Sequence, residues 1–240
     1  MWKSMKNVRI GWWMANVAWP TAFCFWFQII VVLFVSRGIL SQLQLYIFHF
    51  LWLLIVCIFF SAVMTPPVEV RQSYPDVDRD TWKGNYCEKC DYIKPLRFHH
   101  CRICKICVDR MDHHCPILQM CIHRGNHKFY LLFLIWPIFL AIFTICNGYE
   151  YLILVRSSFN GTRMLFEEHI MSIGVSNAVM VGFAASYLLK TQLPNALHNQ
   201  TLIEEARGES DYDTGSWRQN IESIMGPLYI SWLPISFKAL

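Results

Sequence analysis

The sequence predicts a polytopic α-helical membrane protein: four transmembrane helices, with a small cysteine-rich, two-zinc cytosolic domain between helices 2 and 3. Three observations predict it. Four apolar runs, Ile10 to Val35, Tyr46 to Thr65, Phe129 to Val155 and Ile170 to Leu189, each reach the ~20 residues needed to cross a bilayer core. Seven of the ten cysteines, with four histidines among them, crowd between Cys87 and Cys121. Lys and Arg are shared unequally between the segments that join the runs. Lys3, Lys6 and Arg9 precede the first, and eleven more lie between Arg71 and Lys128, whereas the two short loops opposite hold only Arg37, Arg156 and Arg163. The positive-inside rule then puts both termini and the cysteine-rich segment in the cytosol. That compartment keeps thiols reduced, so a cysteine cluster there reads as metal-binding or catalytic and not as a disulfide framework.

Residues 1–66 would hold helices 1 and 2, residues 67–127 the zinc domain, residues 128–192 helices 3 and 4, and residues 193–240 a cytosolic tail with short amphipathic helices. The first run is too long and too rich in Trp and Phe for a cleaved signal peptide. Asn16 and Gln28 inside it should face another helix, because an unpaired amide in hydrocarbon is costly. Gly38 and Ser41 turn the chain into the second run, which Pro66 and Pro67 stop. A polar linker, Glu69 to Asp80, leads to Trp82–Gly125, too small for an apolar core and expected to be short hairpins tied by metal. The third run tolerates Pro137 and ends near Cys146 or continues to Val155. Asn160-Gly161-Thr162 forms a glycosylation sequon. Gly174, Ala178, Gly182 and Ser186 give the fourth run a small-residue stripe for close helix packing. The tail follows Pro194. Thr201-x-x-Glu204 is a helix capping box, Ser216 and Gln219 could cap a second helix, and Ile221, Ile224, Met225 and Leu228 recur at helical spacing. The spans lack the central paired charges of a transporter, and no nucleic-acid partner is expected.

The chemistry concentrates in Cys87-x-x-Cys90, His99-His100-Cys101-x-x-Cys104-x-x-Cys107, Asp112-His113-His114-Cys115 and Cys121. A Cys-x-x-Cys turn presents two thiolates to one zinc, and a structural zinc takes four ligands. Six cysteines and two histidines therefore make two complete sites. Cys115 is the remainder, outside any Cys-x-x-Cys pair and directly after Asp-His-His. Thiol, adjacent base and an acid to orient the base are the parts of an activated nucleophile. Spacing alone leaves the choice between His99 and His100, and between His113 and His114, open.

These residues resemble the DHHC protein S-acyltransferases, or palmitoyltransferases. The likeness runs through Cys87, Cys90, Lys94-Pro95-x-Arg97, His100-Cys101, Cys104, Cys107, Asp112-His113-His114-Cys115-Pro116 and Cys121 to Asn126 and Phe129. It continues more loosely into the tail through Thr201 and Glu204, Tyr212-Asp213-x-Gly215, Asn220 and Gly226. Ile117, Met120 and His123 stand where the family usually has Trp, Asn and Gly, and point to slower catalysis. The resemblance implies one zinc on Cys87, Cys90, His100 and Cys107 and a second, interleaved, on Cys101, Cys104, His114 and Cys121. It implies transfer of a long-chain acyl group from acyl-CoA, such as palmitoyl-CoA, to protein cysteine through an acyl-enzyme on Cys115, with His113 as base and Asp112 orienting it. Lys94, Arg97, Arg102, Lys105, Arg124 and Lys128 are the cations near the motif for CoA phosphates. The partners implied are membrane-associated proteins with cytosolic cysteines, the bilayer, and an accessory subunit where one is required. An endomembrane location, Golgi or endoplasmic reticulum, follows. Two alternatives stand beside this reading: an inactive relative serving as a membrane zinc scaffold, and a membrane RING-like ubiquitin ligase, from which the missing last Cys-x-x-Cys pair sets it apart.

Overall fold

The computed structural model describes residues 40–75, 77, 82–157 and 162–235. The first apolar run and Asn160 with Gly161 of the sequon lie outside the described residues, as does part of the linker. Three described helices are long and apolar enough to cross a membrane, through Gln42–Val63, His127–Glu150 and Ser172–Leu197. The helices themselves are α1 (Gln42–Val63), α3 (His127–Ser157) and α4 (Thr162–Leu197), with a short α2 (Val70–Ser73) after the first. Pro66 and Pro67 follow the end of α1, as proline at a helix stop requires.

The chain forms two compact units. The first takes residues up to Ile55 and Ile135–Ser186. Here the amide of Gln44 donates to the Asn147 side chain at 3.0 Å, and the Asn147 amide donates to Phe143 O at 2.7 Å. Helix α3 runs unbroken past Asn147 to Ser157, nearer the later of the two boundaries that the sequence allows. Phe48 packs on Phe143 with ring centroids 6.0 Å apart. The small-residue stripe has a structural use at Gly182, where a Cβ would come within 2.9 Å of the Ala141 Cβ.

The second unit takes Val56–Leu134 and Tyr187–Leu240. Its middle is three antiparallel two-stranded hairpins: β1 (Tyr86–Cys87) with β2 (Tyr92–Ile93), β3 (His99–His100) with β4 (Cys107–Val108), and β5 (His113–Cys115) with β6 (Met120–Ile122). No hairpin carries enough apolar surface to hold itself together. The tail adds α5 (Leu202–Arg207), α6 (Trp217–Met225) and a 3-10 turn, Leu228–Ile230. Thr201 and Glu204 form the expected capping box, and Gly208 closes α5 with φ +68°.

Two tail expectations shift. Helix α4 runs through Pro194 to Leu197 because its last turn is docked: Ala196 is buried and Asn195 Nδ2 donates to Glu205 at 2.7 Å. Ser216 stands before α6 but its side chain caps nothing, and Gln219 lies inside the helix. The Asn220 amide ties this region instead, donating to Leu197 O and Asp213 Oδ1 at 2.8 and 2.7 Å.

Gly182→Leu should cost about 1–3 kcal/mol by overpacking, read as a lower unfolding midpoint in detergent. An unchanged midpoint would contradict the close approach at Ala141.

Candidate active site and metal clusters

Each Cys-x-x-Cys lies at a turn closed locally. Cys90 N donates to Cys87 O at 3.2 Å, and Cys104 N to Cys101 Sγ at 3.3 Å. The residue after each pair, Asp91 and Lys105, adopts positive φ, 49° and 61°, which swings the chain away and leaves both sulfurs on one side. The other two groups of each cluster come from a hairpin. His100 is paired with Cys107 across β3–β4, and His114 with Cys121 across β5–β6. Directly opposed residues in an antiparallel pair share a face. Each turn thus meets a cross-strand imidazole–thiol pair.

The resulting clusters are Cys87, Cys90, His100 and Cys107, and Cys101, Cys104, His114 and Cys121. In each, the four ligand atoms lie within 4.8 Å of one another, and each could hold a metal ion. Around His114 Nδ1 the sulfurs of Cys101, Cys104 and Cys121 stand at 3.6, 3.4 and 3.7 Å. The clusters interleave along the chain, since Cys101 and Cys104 lie between His100 and Cys107.

With His114 facing the second cluster, strand alternation turns His113 and Cys115 to the opposite face. There His113 Nδ1 binds Asp112 Oδ2 at 2.6 Å, and the imidazole also interacts with the Cys115 thiol. Burial pulls the His113 imidazole down, but the Asp112 carboxylate and the Cys115 thiol outweigh it and raise it to about 9. Burial pushes the Asp112 carboxyl up, yet His113 and the Leu202 N–H, among its neighbours, hold it down at about 2. Asp112 is 1% exposed. Its Oδ1 accepts from Leu202 N at 2.9 Å and its Oδ2 from Gln192 Nε2 at 3.1 Å. The ring of Tyr130 meets His113 edge-on with centroids 5.2 Å apart.

Cys115 is buried in an apolar cluster with Ala62, Leu118, Met120, Phe129, Tyr130 and Leu134, flanked by Phe59, Leu188 and Leu189. The ends of three apolar helices therefore wall the thiol.

The family model for the DHHC palmitoyltransferase matches residues 81–209, from just after the linker to just past α5. The chain belongs to the DHHC palmitoyltransferase family. It is similar to probable protein S-acyltransferase 15 of Arabidopsis thaliana, 31% identical over 209 residues that cover 76% of this chain and 80% of the relative. Probable protein S-acyltransferase 16 of the same plant is 30% identical over 72% of this chain and 68% of its own. Palmitoyltransferase ZDHHC15 of Xenopus laevis is 24% identical over 82% and 69%.

The family's usual Trp, Asn and Gly positions take different places in this chain. Ile117 is exposed, whereas Met120 is buried in the cluster around Cys115. His123 is buried, accepting from Gly125 N on Nδ1 at 3.1 Å, so its Nε2 carries the proton and faces Thr65 O at 3.3 Å. This imidazole ties the last hairpin to the end of α1, and burial lowers it to about 4.

The six sequence-derived cations scatter. Lys94 and Arg97 line a cleft of about 200 Å³ with Phe98, His99, Arg207 and Tyr212, and with the acids Glu209 and Asp211. Arg97 is engaged there by a bidentate pair with Glu204, 2.7 and 2.8 Å, and stacks over Tyr212. Arg124 pairs with Asp109 at 2.5 Å, Lys128 is buried and donates to Ile230 O, and Arg102 and Lys105 are exposed. Sequence reasoning missed Arg207, Gln192 and the backbone of Leu202. Of these only Gln192 carried a signal, an amide inside an apolar helix.

Burial raises the Glu204 carboxyl, but the Arg97 pair and the Thr201 cap outweigh it and hold it below the ordinary glutamate range. A depressed carboxyl stabilises the fold above its unfolded value and loses that contribution as pH falls through the folded one. Glu204→Gln should therefore lower stability at neutral pH by about 1–3 kcal/mol and flatten the acid limb of the stability curve. An acid limb as steep as in the unaltered protein would contradict the role given to this pair.

Proposed function

We propose that this chain is a protein S-palmitoyltransferase that works in two steps through an acyl-enzyme on Cys115, with two structural zinc ions bracing the site. The observation that carries the reading is the face of β5 on which Asp112, His113 and a buried Cys115 come together. Asp112 occupies His113 Nδ1, which leaves Nε2 for the thiol. His113 takes the proton from Cys115 Sγ, and the thiolate attacks the carbonyl carbon of the acyl-CoA thioester. The carbon–sulfur bond to CoA breaks, and CoA leaves with the proton from His113. In the second step His113 takes the proton of a substrate cysteine, whose sulfur attacks the acyl-enzyme and frees Cys115. One thioester replaces another, so positioning and thiolate formation carry the burden.

The donor sets suit zinc. A tetrahedral zinc with Zn–S bonds of ~2.3 Å sets its ligand atoms roughly 3.5–3.8 Å apart, close to the 3.4, 3.6 and 3.7 Å of the His114 contacts. Bound zinc would supply folding energy to hairpins that lack a core. The acyl chain would enter the apolar cluster around Cys115, where each buried methylene contributes ~0.8 kcal/mol. Lys94, at the cleft beside β3, is the cation best placed for CoA phosphates, because Arg97, Arg124 and Arg207 are already paired with Glu204, Asp109 and Glu209. The distribution of Lys and Arg supports a cytosolic site; the reading adds an endomembrane location and membrane-bound proteins bearing cytosolic cysteines as acceptors.

Incubation with palmitoyl-CoA should leave a hydroxylamine-sensitive acyl group that Cys115→Ser abolishes without loss of metal, at about two zinc ions per chain. His113→Ala should slow labelling by ~10²–10⁴-fold with metal retained, whereas His114→Ala should lose one zinc first. Persistence of the label in Cys115→Ser would sink the enzyme reading and favour a zinc scaffold.

A further inference from the structure

Behind Asp112, on the side away from His113, lies a buried polar chain that the acyl-transfer chemistry leaves unused. Arg110 is 4% exposed, and among the described residues it has no carboxylate in direct contact. Its Nη1 faces His127 Nδ1 at 2.9 Å and its Nη2 donates to Asn199 Oδ1 at 2.9 Å. A guanidinium can only donate, so His127 Nδ1 accepts, the ring is neutral, and its proton sits on Nε2. His127 interacts in turn with the Gln192 side chain. Nε2 of His127 and Oε1 of Gln192 are both buried and neither has a hydrogen-bond partner, a donor and an acceptor whose chemistries suit each other. The amide nitrogen of Gln192 donates to Asp112 Oδ2 at 3.1 Å, the oxygen that also holds His113.

The hydrogen bonds at the two ends run the same way, from the buried cation at Arg110 to His127 and from Gln192 to the carboxylate at Asp112. A buried guanidinium without a contacting anion is costly; here its donors are met by His127 Nδ1 and Asn199 Oδ1. Two donors settle the carboxylate's rotamer. Leu202 N fixes Oδ1 from α5, and Gln192 fixes Oδ2 from α4, so Asp112 cannot turn without breaking one of them.

We propose that Gln192, backed by His127 and Arg110, is a positioning residue for palmitoyl transfer, holding Asp112 in the rotamer that orients His113 toward Cys115. This inference rests on the acyl-enzyme reading above and extends it to three side chains that touch no substrate. Gln192→Met keeps the length of the side chain and removes both polar contacts. His127→Phe keeps the ring and removes polarity, while His127→Gln changes the shape but can still accept from Arg110 and donate toward Gln192.

The test is single-turnover self-acylation of the full-length protein with palmitoyl-CoA, alongside metal content and unfolding midpoint. Gln192→Met should lower the acylation rate constant roughly ten- to a hundredfold, with the palmitoyl-CoA concentration at half-maximal rate and the zinc content unchanged. His127→Gln should outpace His127→Phe, the order opposite to that of a residue retained for packing. Acylation by Gln192→Met at the unaltered rate, or His127→Phe matching His127→Gln, would overturn the assignment. If Gln192→Met fails to fold, the His127 pair decides alone. Cys115→Ser, run in parallel, separates the two readings. Label retained there overturns the acyl-enzyme itself, whereas label lost there with Gln192→Met undiminished overturns only the role of Gln192.

Discussion

The constraint on which the second unit depends is the interleaving of its two Cys3His clusters. Cys101 and Cys104 of one lie between His100 and Cys107 of the other, so neither cluster can open without pulling on the hairpin that serves its neighbour. Three hairpins of two or three residues per strand cannot fold on apolar burial alone. What the clusters fix is register. A slip of one residue in β5–β6 would turn His114 off its cluster and send His113 and Cys115 to the wrong face.

From that register the rest of the site follows. Once His114 faces the sulfurs, His113 and Cys115 face the apolar ends of the helices, and Asp112 lies where α4 and α5 can reach its two oxygens. The thiol is buried among Leu118, Met120, Phe129 and Leu134, with His113 on the same face of the strand. The tail belongs to the same arrangement: the Glu204 carboxylate binds Arg97, and the N–H of Leu202, inside the capping box, binds Asp112.

Much of this was legible in the sequence because the signals were local. Cys-x-x-Cys spacing marks a turn, long apolar runs mark membrane helices, and Thr201-x-x-Glu204 marks a capped helix. The ligand choice between His113 and His114 was legible only through the family resemblance, since it depends on which cross-strand partner each residue meets. Gln192 could not be assigned at all, because it lies 80 residues from Asp112 and its amide looked like one more polar interruption of a helix. His123 was read as a departure from a glycine position that slows catalysis, and its contacts with Thr65 and Gly125 show a ring that joins the last hairpin to α1. Long-range contacts made by single polar side chains leave no periodicity to read.

The most direct test of the account is the dependence of Cys115 acylation on the metal. Protein stripped of zinc by a strong chelator and incubated with palmitoyl-CoA should lose acylation of the Cys115 peptide, measured by mass spectrometry, and regain it when zinc is restored. Acylation of Cys115 at an unchanged rate in metal-free protein would show that the clusters do not hold the site together.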